Sequence, residues 1–247
     1  MAGKLQTLTS GRTPPAGGFP YIEKYVAFID MLGFRNLVET ADASAERREA
    51  LANVIGIFRT TIGAHETLGT RVTQFSDSLI VSTDRSEVGL HAVLSGCTWL
   101  ALNLIQYAVL VRGGIAIGGI THEPDVLFGM GIVRAYAFDK SGLPPRIALD
   151  QNVALDIQRS AKLVNWGFAT QDHVSGESML HVLREIEGYD AKPVAGGIRW
   201  ERHAAEIAEI IKLRSSPNQP EEVRRKYVWL AEYWNRVVSK KKVLPRV

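Results

Sequence analysis

The sequence predicts a mixed α/β (α+β) fold, and two observations carry that expectation. The first is the order of its periodic segments: a strand at about 24–30, a helix at 44–65, strands at about 70–75 and 78–83, a helix at 86–107 and a strand from Ala108 to Ile117. Strand, helix, hairpin, helix, strand is the split βαβ, or ferredoxin-like βαββαβ, pattern. The second is that strand one and the hairpin each carry an aspartate where an apolar run stops, Asp30 and Asp77. That topology sets the end of strand one beside the hairpin, so the two carboxylates are expected to meet.

Strand one is read from Tyr25 to Asp30, an apolar run rich in β-branched and aromatic residues. A Gly-containing turn follows, Met31-Leu32-Gly33-Phe34, then a helix from about Asn36. Ser44 is an N-cap candidate for the 44–65 helix, with Glu46 in its first turn. Arg71–Phe75 and Ser78–Val81 are too close in sequence to be anything but a hairpin. Gly118-Gly119 should end or bend strand four, with Ile120–Val126 forming a further strand. Phe128-Gly129 opens a helix at 130–140, Arg146–Leu149 is a short strand, and Asp150 caps a helix over 151–160. Residues 161–200 are irregular, 201–213 is helical by period, Pro217 and Pro220 mark a break, and 221–239 is an amphipathic helix. The expected organisation is a flexible leader over 1–20, a catalytic domain over 21–200 and a helical C-terminal extension over 201–247.

The 247 residues suffice to bury a sizeable core, and a net charge of +3 is too small to argue for nucleic acid. Charge is unevenly placed: Lys212–Val247 carries ten Lys/Arg and three Glu, +7 against −4 for the rest. A solvated basic helix accounts for this. A single cysteine, Cys97, permits no internal disulfide, which fits a reducing cytoplasm; it sits in an apolar helical pattern and reads as a small core residue. No uninterrupted apolar run has the length of a membrane span. His122 and His173 have no partner at metal-ligand spacing and read as structural.

Two carboxylates brought together repel unless a cation lies between them. Hard divalent cations, Mg²⁺ or Mn²⁺, take oxygen ligands and pair with triphosphates. Two such ions would be held by Asp30 and Asp77, with the Met31 carbonyl as a further donor. Backbone N–H groups of Met31, Leu32, Gly33 and Phe34 face a phosphate. Read by themselves, Asp30 could instead cap a helix and Asp77 could be a turn residue. Arg112 could pair with a buried acid or bind phosphate. Arg71 could read a base or lie on an exposed edge.

In sequence, Phe28–Phe34, Phe75-Ser76-Asp77-Ser78, Val111–Gly118 and Phe128-Gly129 resemble four successive blocks of the class III nucleotide cyclases. These are that family's first metal-binding strand and phosphate loop, its metal-binding hairpin, its central strand and the start of its dimer-interface helix. The match spans about residues 22–150. Ser76 stands where the family usually has Gly. Val133 and Ala137 stand where purine cyclases carry an Asn and a transition-state Arg, and Arg134 and Tyr136 are the neighbours that could substitute. The adenine-reading Lys aligns near Thr73 and its Asp partner near Asp125. The Ile29–Phe34 wording and the Arg134-Ala135-Tyr136 helix look most like the pyrimidine cyclases of Pycsar antiphage systems. The resemblance implies conversion of UTP, or CTP as the second choice, to the 3′,5′-cyclic monophosphate and pyrophosphate. It implies catalysis by Asp30, Asp77 and Arg134, nucleotide contacts from Met31, Leu32, Gly33, Phe34, Arg71, Thr73 and Arg112, and two Mn²⁺ or Mg²⁺ per site. It also implies a homodimer with interface sites and a separate effector that responds to the product. A polymerase-like palm domain and an inactive nucleotide-binding sensor are the rival readings.

Overall fold

The computed structural model describes residues 18–63, 69–140, 142–187 and 200–238. The expected leader before residue 18, and the end of the basic tail from 239, lie outside these. Among the described residues eight strands share one sheet: β1 (Ile22–Leu32), β2 (Arg71–Phe75), β3 (Ser78–Asp84), β4 (Leu110–Glu123), β5 (Val126–Phe128), β6 (Ile147–Leu149), β7 (Ala169–Gln171) and β8 (Ser178–Leu180). Their order is β2-β3-β1-β4-β6-β8-β7, with β5 hairpinned onto β4. β1 runs antiparallel to both β3 and β4, so the first four strands form the expected ferredoxin-like arrangement.

Alternation along β1 divides the core in two. Tyr25, Ala27, Ile29 and Met31 face α2 (Ala45–Gly63), α3 (Glu87–Ile105) and α5 (Gln151–Arg159), where Phe58, Leu94, Leu100 and Val153 complete a large apolar cluster. Val26 and Phe28 face the other way, with Ile80, Ala116 and Ala135 of α4 (Met130–Tyr136). Asp30 and Leu32 continue this second face, opposite Arg112 and Leu110 in the β4 register. α4 comes very close to the sheet here: a Cβ on Gly118 would lie 2.6 Å from the Gly131 backbone. The Gly118-Gly119 pair therefore serves packing, and β4 continues through it to Glu123 rather than ending there.

α8 (Trp200–Arg214) and α9 (Glu221–Val237) close the far end. Their Ile207, Ile211, Tyr227, Leu230 and Trp234 share a buried cluster with Leu102, Ile105, Leu110 and Met179, and Leu32 packs against it. The Tyr227 hydroxyl donates to the Ala108 carbonyl at 2.7 Å. Trp229, Tyr233 and Trp234 are buried here, as core rather than as stacking surfaces.

Several boundaries differ from expectation. β1 runs two residues past Asp30, because Met31 and Leu32 still pair with Val111 and Leu110. The next helix, α1 (Phe34–Ala41), starts at Phe34. α4 stops at Tyr136. The supposedly irregular stretch holds α6 (Ala161–Asn165), β7, β8 and α7 (Arg184–Glu187), too short for periodicity to reveal. α3 is buried over most of its surface rather than along one stripe, with Val88, His91, Ser95, Trp99 and Asn103 on its more exposed side, and Cys97 lies inside it with no exposure. By length and composition α3 could cross a bilayer, but 72% of its apolar window is buried within the protein.

Candidate active site

Asp30 and Asp77 come together as the topology requires. Asp30 is paired with Ser78 across the β1–β3 ladder, one residue beyond Asp77. The Met31 N–H donates to the Asp77 carbonyl at 2.9 Å, which ties the hairpin tip to β1. Ser76, in the tip, adopts φ 50°. Glycine takes that left-handed conformation without steric cost, and this is the physical reason a Gly suits the place. The Ser78 hydroxyl donates to Asp30 Oδ1 at 3.0 Å. The Asp30 carboxyl is pushed up to about 6, first by burial, then by Asp139 and by Asp77, against the Ser78 hydrogen bond and Arg112. A carboxylate so placed is short of positive charge.

The turn that follows is built for close approach. Gly33 sits at φ 81° at the start of α1, where a side chain would be strained. The Leu37 N–H takes the Gly33 carbonyl, leaving the N–H groups of Phe34, Arg35 and Asn36 without intrahelical acceptors. Asp30 is therefore no helix cap. Leu32 packs toward the C-terminal helices and Phe34 toward the main core, so these two supply backbone rather than side chains.

The structure separates other residues from this centre. Arg112, opposite Asp30, puts its Nε 2.6 Å from Asp139 Oδ1, with both side chains 12% exposed. The buried-acid alternative therefore describes Arg112. Asp139 was not anticipated; the one sequence signal was that a strand-interior arginine needs an acid. Arg134 donates to the Ile117 carbonyl at 2.8 Å. Ile117 lies five positions along β4 from Arg112, roughly 17 Å at strand rise, so this chain's Arg134 does not reach its own Asp30. Arg71 is exposed and 3.5 Å from Glu123. The Thr73 hydroxyl bonds His122 Nε2 at 2.8 Å, and His122 Nδ1 bonds the Ser82 hydroxyl at 2.8 Å.

His122 is thus a buried ring between two hydroxyls, which suits the neutral imidazole with one donor and one acceptor nitrogen. Burial, with Arg71 and Lys24 nearby, pushes its pKa down to about 4. The folded state therefore binds fewer protons than the unfolded one between about pH 4 and the free value near 6.5, so this residue's contribution falls as pH drops through that window. Urea titrations at pH 7 and pH 4.5 should show a wild-type loss on the order of 2 kcal/mol larger than that of His122→Gln. Equal losses would contradict the assignment. Asp30 titrates with the opposite sign but is common to both proteins.

No family model and no curated protein matches the sequence. Solved structures do match in chain path. The adenylyl cyclase CyaB from P. aeruginosa is 14% identical over 65% of this chain and 93% of that one, with a TM-score of 0.44. The monomeric guanylyl cyclase domain of the RhoGC fusion protein from Blastocladiella emersonii is 13% identical over 65% and 95%, TM-score 0.47. The adenylate/guanylate cyclase/hydrolase from Silicibacter pomeroyi is 16% identical over 65% and 95%, TM-score 0.44. At these values the likeness does not say what this chain binds or makes; its own side chains must carry that.

Divalent cations fit those side chains. Among the described residues no cluster of three or more His, Cys, Asp or Glu forms a protein cage for a metal. Mg²⁺-type ions need none, since they bind through one or two carboxylates with substrate phosphates and water. Asp30 and Asp77 supply the carboxylates, the Met31 carbonyl is a neighbouring oxygen, and a cation would offset the burial and the neighbouring Asp139 and Asp77 charges that raise Asp30.

Proposed function

We propose that the protein is a nucleotide cyclase that converts a pyrimidine nucleoside triphosphate, UTP ahead of CTP, to its 3′,5′-cyclic monophosphate and pyrophosphate. The single observation that carries this is the pairing of Asp30 with Asp77, one of them held at an elevated pKa, beside a glycine turn with unpartnered N–H groups. In the reaction the ribose 3′-oxygen attacks the α-phosphorus, the bond to the β-phosphate bridging oxygen breaks, and the 3′-hydroxyl proton leaves to solvent. Two bound Mn²⁺ or Mg²⁺ ions would supply a lowered hydroxyl pKa and neutralisation of the departing pyrophosphate. Asp30 and Asp77 hold them, and the phosphates meet the turn at Gly33 and the N–H groups of Phe34, Arg35 and Asn36, since the Met31 N–H is already held by the Asp77 carbonyl.

A homodimer is part of this reading. Met130, Val133 and Tyr136 of α4, with Phe128 at the end of β5, are each about half exposed. An apolar stripe of that kind suits a second copy. Arg134 lies on the same helix, far from its own Asp30, so it would serve the partner's site. Thr73, bonded to His122 rather than replaced by a lysine, is consistent with a base other than adenine. The remaining parts of the proposal follow from the family resemblance: a cytoplasmic setting, antiphage signalling and a separate cyclic-nucleotide-activated effector.

The test is incubation with each of the four NTPs and Mn²⁺, with chromatographic identification of products. A cyclic pyrimidine nucleotide is expected. Primer extension would indicate a polymerase, and binding without product a sensor. Asp30→Ala and Arg134→Ala proteins, each inactive alone, should regain activity when mixed. No recovery with subunit exchange verified would remove Arg134 from the shared site.

A further inference from the structure

A cavity of about 110 Å³ opens where the C-terminal helices meet the β1–α1 turn. It is far larger than a single water requires. Leu32, Gly33 and Asn36 line one wall, and Arg214 of α8 with Lys226 and Tyr227 of α9 line the other. Leu32 is two positions beyond Asp30 on the same face of β1, about 7 Å along the strand. The cavity therefore adjoins the carboxylate pair.

Its charge is one-sided. Among the described residues no carboxylate lines it. Lys226 donates to Glu222 at 2.8 Å, an acid whose side chain is 77% exposed and lies outside the cavity lining. Arg214 is half-buried, with no hydrogen bond or ion pair among the described residues. A partly desolvated arginine without an acid is unfavourable unless an anion completes it. The Tyr227 hydroxyl is committed to Ala108, and burial pushes its pKa up, so it adds no compensating negative charge.

We propose that this cavity holds the polyphosphate end of the nucleotide, with Arg214 and Lys226 as its counter-charges. The inference rests on the triphosphate reading above and extends it. The C-terminal helices then act in substrate binding as well as packing, and the basic excess of this segment acquires a local purpose. Arg214 offers a planar fork to two phosphate oxygens, and Lys226 a point charge.

The experiment uses the full chain and inorganic tripolyphosphate as the probe, measured by calorimetry. Wild type should bind it, and Arg214→Ala with Lys226→Ala should bind it about 10–100-fold more weakly. Arg214→Lys should retain part of the affinity. Asn36→Asp, which brings a negative charge to the exposed wall without removing a packing contact, should weaken binding about tenfold. Binding of the nucleoside monophosphate should be unchanged in each variant. Undiminished tripolyphosphate affinity in both the double variant and Asn36→Asp overturns the proposal. The two readings fail separately. Tripolyphosphate binding that depends on Arg214 and Lys226, without cyclic product from any NTP, leaves the site and removes the cyclase. Cyclic product with an unchanged KM in the double variant does the reverse.

Discussion

Asp30→Ala and Asp77→Ala should each lower turnover by about a thousandfold or more, the scale of several kcal/mol of metal-borne charge stabilisation. The accompanying stability change separates a functional carboxylate from a structural one. In the metal-free chain Asp30 sits near 6, well above the ordinary carboxylate. The folded state therefore holds more protons than the unfolded state between about pH 4 and 6, and stability falls as pH rises through that window. At pH 7–8 the ionised side chain works against the fold. Asp30→Asn, which keeps an acceptor for Ser78, should then melt higher than wild type in EDTA at pH 7.5. Mn²⁺ should raise the wild-type melting temperature and leave Asp30→Asn nearly unmoved. Turnover within tenfold of wild type in either alanine variant would refute its metal role.

A larger effect on folding is expected at Asp172. Arg146 and Asp172 are both almost wholly buried, 3.1 Å apart. Asp172 also accepts from the Trp229 indole at 3.0 Å, the Val174 N–H at 3.2 Å and the Ser175 hydroxyl at 2.9 Å. Burial raises its pKa, but those hydrogen bonds and Arg146 outweigh it, and the net shift is downward. Asp172→Ala leaves the arginine with Glu177, an acid it also contacts but whose side chain is mostly exposed, and removes the indole's acceptor. A cost of about 3–5 kcal/mol follows, the range for breaking a buried pair from one side. For a chain of this size that lowers Tm by on the order of 10 °C. Calorimetric melting of the full chain checks it, and a loss under 1 kcal/mol would show that the pair is not needed. This cluster joins the β7–β8 hairpin to α9 through Trp229. Arg146→Met with Asp172→Leu should recover much of the loss, since apolar replacement of a whole buried pair is far milder than halving it.

How much of this could be read from residues alone depends on the range of the interaction. Asp30 and Asp77 were legible because alternation and the strand-helix-hairpin order are local signals, and topology then brings the two together. Gly33 was legible because a positive φ selects for glycine. Asp139 was not, since its role exists only through Arg112, 27 positions away. The same holds for His122, whose partners come from β2 and β3 while it sits at the end of β4. Arg134 was assigned by neighbourhood along the chain, and helix direction places it at the Ile117 carbonyl, away from its own Asp30, so that only the dimer reading returns it to a site. The small elements between Ala161 and Glu187 carry no period at three to five residues each. Their placement depends on the Arg146–Asp172–Trp229 network, which no spacing announces.

Cys97 has a practical use in this light. It is the sole cysteine, enclosed in α3 with no exposure, and burial pushes its thiol up to about 12. A thiol so protonated and shielded reacts only when the core opens. Alkylation of the unmodified protein therefore clocks global opening at one defined atom, without any label introduced, and every variant discussed above can be ranked on that clock.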